Sequence, residues 1–338
     1  MSAAADAAGQ PPLLEVRDLK VHFPMRTGGI FKSHYAYLKA VDGVSFDLYA
    51  GETLGIVGES GCGKSTLARA ILNLLPTSAG RTVWMGDELT GLDPAAMRPY
   101  RSDLQIIFQD PLASLDPRMT VGDIIAEPLR TLHPEIPRPE VQRRVAEMLE
   151  RVGLTPQMIN RYPHEFSGGQ CQRIGVARAM VLEPKLIVCD EPVSALDVSI
   201  QAQIVNLLSE LQREFGLALI FISHDLSVVR HISHRVMVLY LGKIMELASR
   251  DDIYRAPRHP YTKALISAVP IPDPDRERQK QRIVLAGDLP SPLDPPTGCP
   301  FRTRCPQATQ LCADEAPPLE EEDGAAHWVA CHHWREVG

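Results

Sequence analysis

The chain lacks any run of about 18 consecutive apolar residues, so no stretch reads as a membrane-spanning helix. It also lacks a basic excess. With 35 Lys and Arg against 42 Asp and Glu, the net charge is −7. That balance excludes the basic stripe of a general nucleic-acid binder, and no nucleic-acid partner is expected. Aromatic residues are scarce, at 6%, but 44% of residues are hydrophobic, enough for a large core. Residues 1–12 are Ala-rich and lack a basic segment followed by an apolar run. They read as a disordered leader and not as a secretory signal, which leaves the protein in the cytoplasm, where thiols stay reduced. No internal repeat is present.

At 338 residues the chain exceeds one small domain. Leu13–Val21 has the apolar–polar alternation of a half-buried strand, and Val44–Leu48 is another strand candidate. Between them, 24–34 reads as an exposed basic loop. Thr53–Val57 is a short apolar run that enters a Gly-rich loop, and helical spacing follows over Ser65–Leu75. Residues 98–178 read as mainly helical, with loops at Pro111, Pro117, Pro137 and Pro163. Leu186–Cys189 and Leu217–Ile222 have the uninterrupted hydrophobicity of buried parallel strands, and Ile200–Phe215 between them is an amphipathic helix. Arg235–Leu247 reads as two strands turned at Leu241-Gly242-Lys243. Strands alternating with helices predict an α/β fold with a mostly parallel sheet. The composition then shifts. Thirteen of the 29 prolines lie between Pro257 and Pro318, which marks a loop-rich tail.

The strongest chemical signal is Gly58-Glu59-Ser60-Gly61-Cys62-Gly63-Lys64-Ser65-Thr66, a full G-x-x-x-x-G-K-[ST] match between a strand and a helix. Its glycines let backbone N–H groups turn inward as an anion nest, and the helix N-terminus adds a positive dipole end. Lys64 reaches the β and γ phosphates, and the Ser65 hydroxyl can ligate magnesium. A chance glycine turn is the bland reading, and the correct flanks argue against it. The second signal is Leu186-Ile-Val-Cys-Asp-Glu191, an apolar strand ending in two carboxylates. Asp190 stands where a magnesium-organising Asp belongs, and Glu191 can polarise an attacking water. Alone, this would as often be a solvated acidic turn.

A third pattern, Phe166-Ser167-Gly168-Gly169-Gln170, begins twenty residues before that strand. With it the chain resembles the ATP-binding cassette (ABC) ATPases, whose signature loop is Ser-Gly-Gly-Gln. Gln109 in IIFQDP resembles the family's Q-loop glutamine, Ser194-Ala-Leu-Asp197 its D-loop, and His224 in FISHD its switch histidine. The order and spacing agree from Leu13 to about Leu247.

This resemblance implies a P-loop NTPase cassette over 13–255, with a RecA-like core, an antiparallel β subdomain and a helical subdomain at about 100–180. It also implies ATP and Mg2+ as ligands and head-to-tail pairing of two cassettes. Ser167, Gly168, Gly169 and Gln170 of one would then cap ATP held by the other's phosphate loop, with Asp197 at the interface. Magnesium would involve Ser65, Gln109 and Asp190. Catalysis would involve Glu191, His224 and Gln109. The family places an aromatic on adenine upstream of the phosphate loop, implying Tyr35, with Phe23 as its rival.

Three segments narrow the resemblance: FQDPLASLDPRMTVGDIIAEPL (108–129), PHEFSGGQCQRIGVARA (163–179) and HPYTKALISAVPIPDPD (259–275). They resemble the ATPase subunits of bacterial oligopeptide and dipeptide importers, the F-type above all. That implies peptide import across the inner membrane from a peripheral position on its cytoplasmic face. The partners implied are a homologous D-type ATPase subunit, two permeases and an extracytoplasmic peptide-binding protein. The segment around Asp110–Pro128 would help form the permease groove. Nickel, opine or glycopeptide cargo, a non-transport ABC ATPase and a non-catalytic subunit are the alternatives. Intact Lys64, Asp190, Glu191 and His224 oppose the last of these.

Cys299, Cys305, Cys312 and Cys331 crowd the tail, 256–338, within 33 residues. Four thiolates can close a tetrahedral site for zinc or an iron–sulfur cluster, though the spacing is not the short C-x2-C usual for structural zinc. His327, His332 and His333 are alternative zinc ligands. The resemblance implies a [4Fe–4S] cluster at the four cysteines. Loose free thiols are the bland reading, and an apolar-poor segment gains from a metal staple.

Overall fold

The computed structural model describes residues 11–27, 34–270, 273–322 and 324–336. The proposed leader falls largely outside the described residues, as does most of the proposed loop before His34. The chain divides into two compact units. One comprises the residues up to Leu48, Leu54–Gly91 and everything from His224. The other comprises Tyr49–Thr53 and Leu92–Ser223.

In the first unit, an antiparallel sheet has the strand Leu14–Thr27 between His34–Leu48 and Ala79–Trp84, with the short Asp87–Glu88 at its edge. The core residues Leu14 and Val16 alternate, as do Leu19 and Val21, but the two pairs are out of phase by one residue. A bulge absorbs the extra residue. The register shifts between Val16 and Leu19, and Asp18 takes a φ of 45°. Residues Pro24–Thr27 are not loop, as the sequence suggested. They continue the strand, pairing Pro24 with Tyr37 and Thr27 with His34. Pairing with Ala79–Trp84 ends at Lys20, so Pro24 lies where the strand has a single neighbour and a missing N–H is tolerated.

The same unit holds the phosphate-loop strand Thr53–Val57 from Leu54 onward. From Leu54 to Val57 it pairs in parallel with Arg235–Tyr240. Arg235–Tyr240 turns back into Lys243–Ser249 through Leu241 and Gly242, at φ 44° and 74°. Two consecutive left-handed residues give the turn a twist that suits a tight hairpin. The tail is less loose than its composition suggests. Trp328–Val329 pairs with Lys243–Ser249, and Glu320–Glu321 pairs with Trp328–Val329, so the tail adds two short strands to the sheet edge.

In the second unit, Leu104–Ile107, Leu186–Asp190 and Ala218–Ile222 pair in parallel. Every residue of the last two is buried, as their unbroken hydrophobicity requires. Leu104–Ile107 lies in a stretch that the sequence suggested was mainly helical. The longer helices here are Val121–Leu132, Arg138–Arg151, Gly168–Met180 and Val198–Phe215. The last buries Ile204, Leu207, Leu208 and Leu211 on one face, with Asp197 capping its start and Gly216 at φ 62° ending it.

No helix among the described residues is long and apolar enough to cross a membrane.

Candidate functional site

The phosphate loop follows directly from its strand. Gly58 and Gly63 are required there for close approach. A Cβ would lie 2.2 Å from the Leu239 carbonyl oxygen at Gly58 and 2.0 Å from that of Ala40 at Gly63, where φ is 106°. The helix Lys64–Ile71 begins at Gly63 with no side-chain cap. Its first N–H groups therefore suit an anion as partner. Lys64 is 5% exposed and donates from Nζ to the carbonyls of Gly58, at 2.9 Å, and Glu59, at 3.1 Å. Ser60 and Gly61 are exposed, Ser65 and Thr66 are half-buried, and burial pushes the Cys62 thiol up despite Lys64 nearby.

His224 is exposed just before the helix Leu226–Ile232, which Asp225 caps. Tyr35 is 69% exposed on its strand, whereas Phe23 is half-buried opposite Leu38. Tyr37, two residues from Tyr35 on the same face, is also exposed. The i, i+2 spacing of the two tyrosines in the sequence is the signal for this shared face.

In the second unit, Asp190 closes the strand Leu186–Asp190 and is buried. Glu191 takes a φ of 49°, the left-handed region that costs a non-glycine residue about 1–2 kcal/mol. Its neighbours hold it there. Its N–H donates to the Ile222 carbonyl at 3.1 Å, and its own carbonyl accepts from Ser194 N–H at 3.3 Å and Oγ at 3.1 Å. Gln109, exposed beyond Leu104–Ile107, donates from Nε2 to Glu191 Oε2 at 3.1 Å. The structure thus brings together two residues 82 apart in sequence.

The signature residues open the helix Gly168–Met180 as a capping box. Ser167 Oγ accepts from Gln170 N–H at 3.4 Å, and Gln170 Oε1 accepts from Ser167 N–H at 2.9 Å. Ser167 and Gly168 are exposed and Gly169 is buried. A Cβ on Gly169 would lie 2.5 Å from Ile200 Cγ2, so this glycine has a packing role that the motif does not reveal. Asp197 accepts from the N–H groups of Ser199 and Ile200, both at 3.1 Å, and from Ser199 Oγ at 2.7 Å. The Ser199 hydroxyl, followed by the Ile200 N–H, lowers its carboxyl pKa.

In the tail, Cys299, Cys305, Cys312 and Cys331 line one cavity of about 10 Å³, together with His259, His332 and His333. All four thiols are free. Burial pushes Cys299 and Cys331 up to about 11 and also raises Cys305. Among the described residues, no group of three or more His, Cys, Asp or Glu side chains is gathered to hold a metal ion as it stands. The donor set nonetheless suits a sulfur-ligated group, because four thiols of one loop-rich segment line one cavity.

A strand–glycine loop–helix with a buried lysine and a signature helix opened by Ser-Gly-Gly-Gln define a nucleotide-binding cassette. Residues 41–194 match the family model described as ABC transporter, and residues 245–312 match that of the oligopeptide/dipeptide transporter C-terminal region. The chain belongs to the ABC transporter family, in its oligopeptide ATP-binding branch. It is 63% identical over 324 residues to the oligopeptide transport ATP-binding protein OppF of Escherichia coli strain K12, covering 96% of each chain. It is 54% identical over 327 residues to the oligopeptide transport ATP-binding protein AppF of Bacillus subtilis strain 168, covering 96% of this chain and 98% of that one. Among solved structures, a dimeric ATP-binding cassette in a post-hydrolysis state, bound to ADP and Pi, matches with a TM-score of 0.62 and 26% identity. That match covers 70% of this chain and 98% of the other.

Proposed function

We infer that this chain hydrolyses ATP to energise oligopeptide import, as one of two paired nucleotide-binding subunits. The observation that carries this is the buried Lys64 folded against its own phosphate loop at an uncapped helix start, in a chain 63% identical to an oligopeptide transport ATP-binding protein. The cassette is assigned to 13–255 and the oligopeptide-type extension to 256–338. Lys64 binds the β and γ phosphates, and Ser65, Gln109 and Asp190 serve magnesium. Glu191 acts as general base, oriented by Gln109, and His224 acts on the γ-phosphate. Tyr35 stacks on adenine, and its exposure supports it over Phe23. Ser167 to Gln170 cap the partner's nucleotide, and Asp197 lies at the pairing interface. The partners are a homologous D-type ATPase subunit, two permeases and a peptide-binding protein, with the chain peripheral on the cytoplasmic face of the inner membrane.

In proteoliposomes containing both ATPase subunits and the permeases, peptide-loaded binding protein should stimulate ATP hydrolysis. Hydrolysis indifferent to peptide would overturn the cargo assignment.

Cys299, Cys305, Cys312 and Cys331 are assigned as ligands of a [4Fe–4S] cluster, which when bound would staple the tail. His332 and His333 on the same cavity support zinc as the second reading, whereas His327, the third expected alternative, is bonded to Glu246 at 2.7 Å and does not line that cavity. Iron, sulfide and zinc content of anaerobically purified protein separates the two. Unchanged metal content in Cys305→Ser would remove both.

A further inference from the structure

An acidic side chain is out of place in a loop that binds phosphates, and the phosphate-loop pattern does not ask for one at position 59. In this chain Glu59 is answered by the tail. Arg304 clasps its carboxylate with both terminal nitrogens, Nη1 to Oε2 at 2.6 Å and Nη2 to Oε1 at 3.1 Å. The Arg304 side chain is 9% exposed and that of Glu59 29%, so the guanidinium is buried while the carboxylate stays partly open to solvent. The Glu59 N–H donates to the Tyr261 hydroxyl at 3.0 Å. The Glu59 carbonyl accepts from Lys64 Nζ at 3.1 Å. The polar groups of this one residue are thus shared between the tail, on two sides, and the phosphate lysine on the third.

The two tail residues are themselves fixed. Tyr261 is fully buried and packs edge-on against Tyr240, with ring centroids 4.8 Å apart. Phe301, also fully buried, packs 5.3 Å from Tyr261, 5.4 Å from Tyr240 and 5.6 Å from His259. Phe301 and Arg304 lie in the same short loop between Cys299 and Cys305. The fold of that loop therefore sets where the guanidinium stands.

We propose that Arg304 and Tyr261 are positioning residues for ATP, acting through Glu59 to neutralise and brace the phosphate loop. The proposal rests on the reading of Gly58–Thr66 as the ATP site, and it does not depend on what the cysteines bind. Without Arg304, the Glu59 carboxylate faces the nucleotide phosphates uncompensated. Without the Tyr261 hydroxyl, the Glu59 N–H loses its acceptor.

The test measures binding of a fluorescent ATP analogue to the full-length chain. Arg304→Ala should weaken binding about tenfold or more, the scale of a lost charge-assisted pair, and the loss should shrink as salt is raised. Adding Glu59→Gln to Arg304→Ala should restore most of the affinity, because the uncompensated charge is gone. The double variant also lacks Arg304, so a merely unravelled tail predicts no rescue. Tyr261→Phe keeps the ring packing and should weaken binding several-fold. In the transporter, the Arg304→Ala loss should appear in KM for ATP with kcat retained. Unchanged affinity in Arg304→Ala, or a double variant as weak as the single, would overturn the proposal. If instead Lys64→Ala binds the analogue as well as the parent chain does, it is the ATP-site reading itself that fails.

Discussion

Gln109 donates a hydrogen bond to Glu191 across 3.1 Å, tying the end of one parallel strand to the carboxylate that follows its neighbour. The left-handed backbone of Glu191 is held through both its N–H and its carbonyl. Glu191→Gln keeps the shape and removes the carboxylate proposed as general base. It should bind ATP within a few-fold of the parent, lower kcat by about 10²–10⁴, and accumulate an ATP-bound dimer. Size-exclusion chromatography with ATP, beside a turnover assay, checks both. Normal turnover would remove Glu191 from the role.

Gly63→Ala should weaken ATP binding. Its Cβ would meet the Ala40 carbonyl at 2.0 Å in a conformation that an L side chain rarely adopts. Calorimetric titration with ATP should show at least about a tenfold loss, on the scale of the 1–3 kcal/mol that such backbone strain costs.

Gly169→Ala separates packing from recognition. The added methyl would press on Ile200 at 2.5 Å, and overpacking of this kind costs about 1–3 kcal/mol. The thermal midpoint should fall, and pairing it with Ile200→Ala should recover much of the loss. No recovery in the double variant would mean the clash is not with Ile200.

Acid should weaken the antiparallel sheet through Asp42. Burial works against its carboxylate, but Lys243, the His22 imidazole and Lys39 outweigh that and hold its pKa below the ordinary 3.8. His22 Nε2 lies 3.0 Å and Lys243 Nζ 3.4 Å from it. A carboxyl with a lowered folded pKa contributes stability that is present above the unfolded value and lost as pH falls through the folded one. Asp42→Asn should therefore melt lower than the parent at neutral pH, and the gap should close below about pH 4. Melting curves across that range test it. A gap that persists in acid would contradict it.

The parts legible in the sequence were those written locally. Gly58–Thr66 and Ser167–Gln170 are legible because a phosphate nest and a helix start are built from consecutive residues. Leu186–Asp190 is legible because burial on both faces demands an unbroken apolar run. Leu104–Ile107 escaped because it is only four residues long and carries Gln105 among helical neighbours. The bulge at Asp18 left a phase slip in the alternation that a simple period hides. Trp328–Val329 was illegible because its partner strand, Lys243–Ser249, lies some 80 residues earlier. The Arg304–Glu59 clasp spans 245 residues and obeys no motif.

The capping box at Ser167 bears on how such a helix start can greet a second molecule. The hydroxyl spends a lone pair on its own helix, accepting from Gln170 N–H, and that leaves its proton to give. The serine is exposed, so that proton is within reach of solvent. If Ser167 caps a partner's nucleotide as proposed, holding the helix end together and donating to the anion would be compatible tasks of a single hydroxyl.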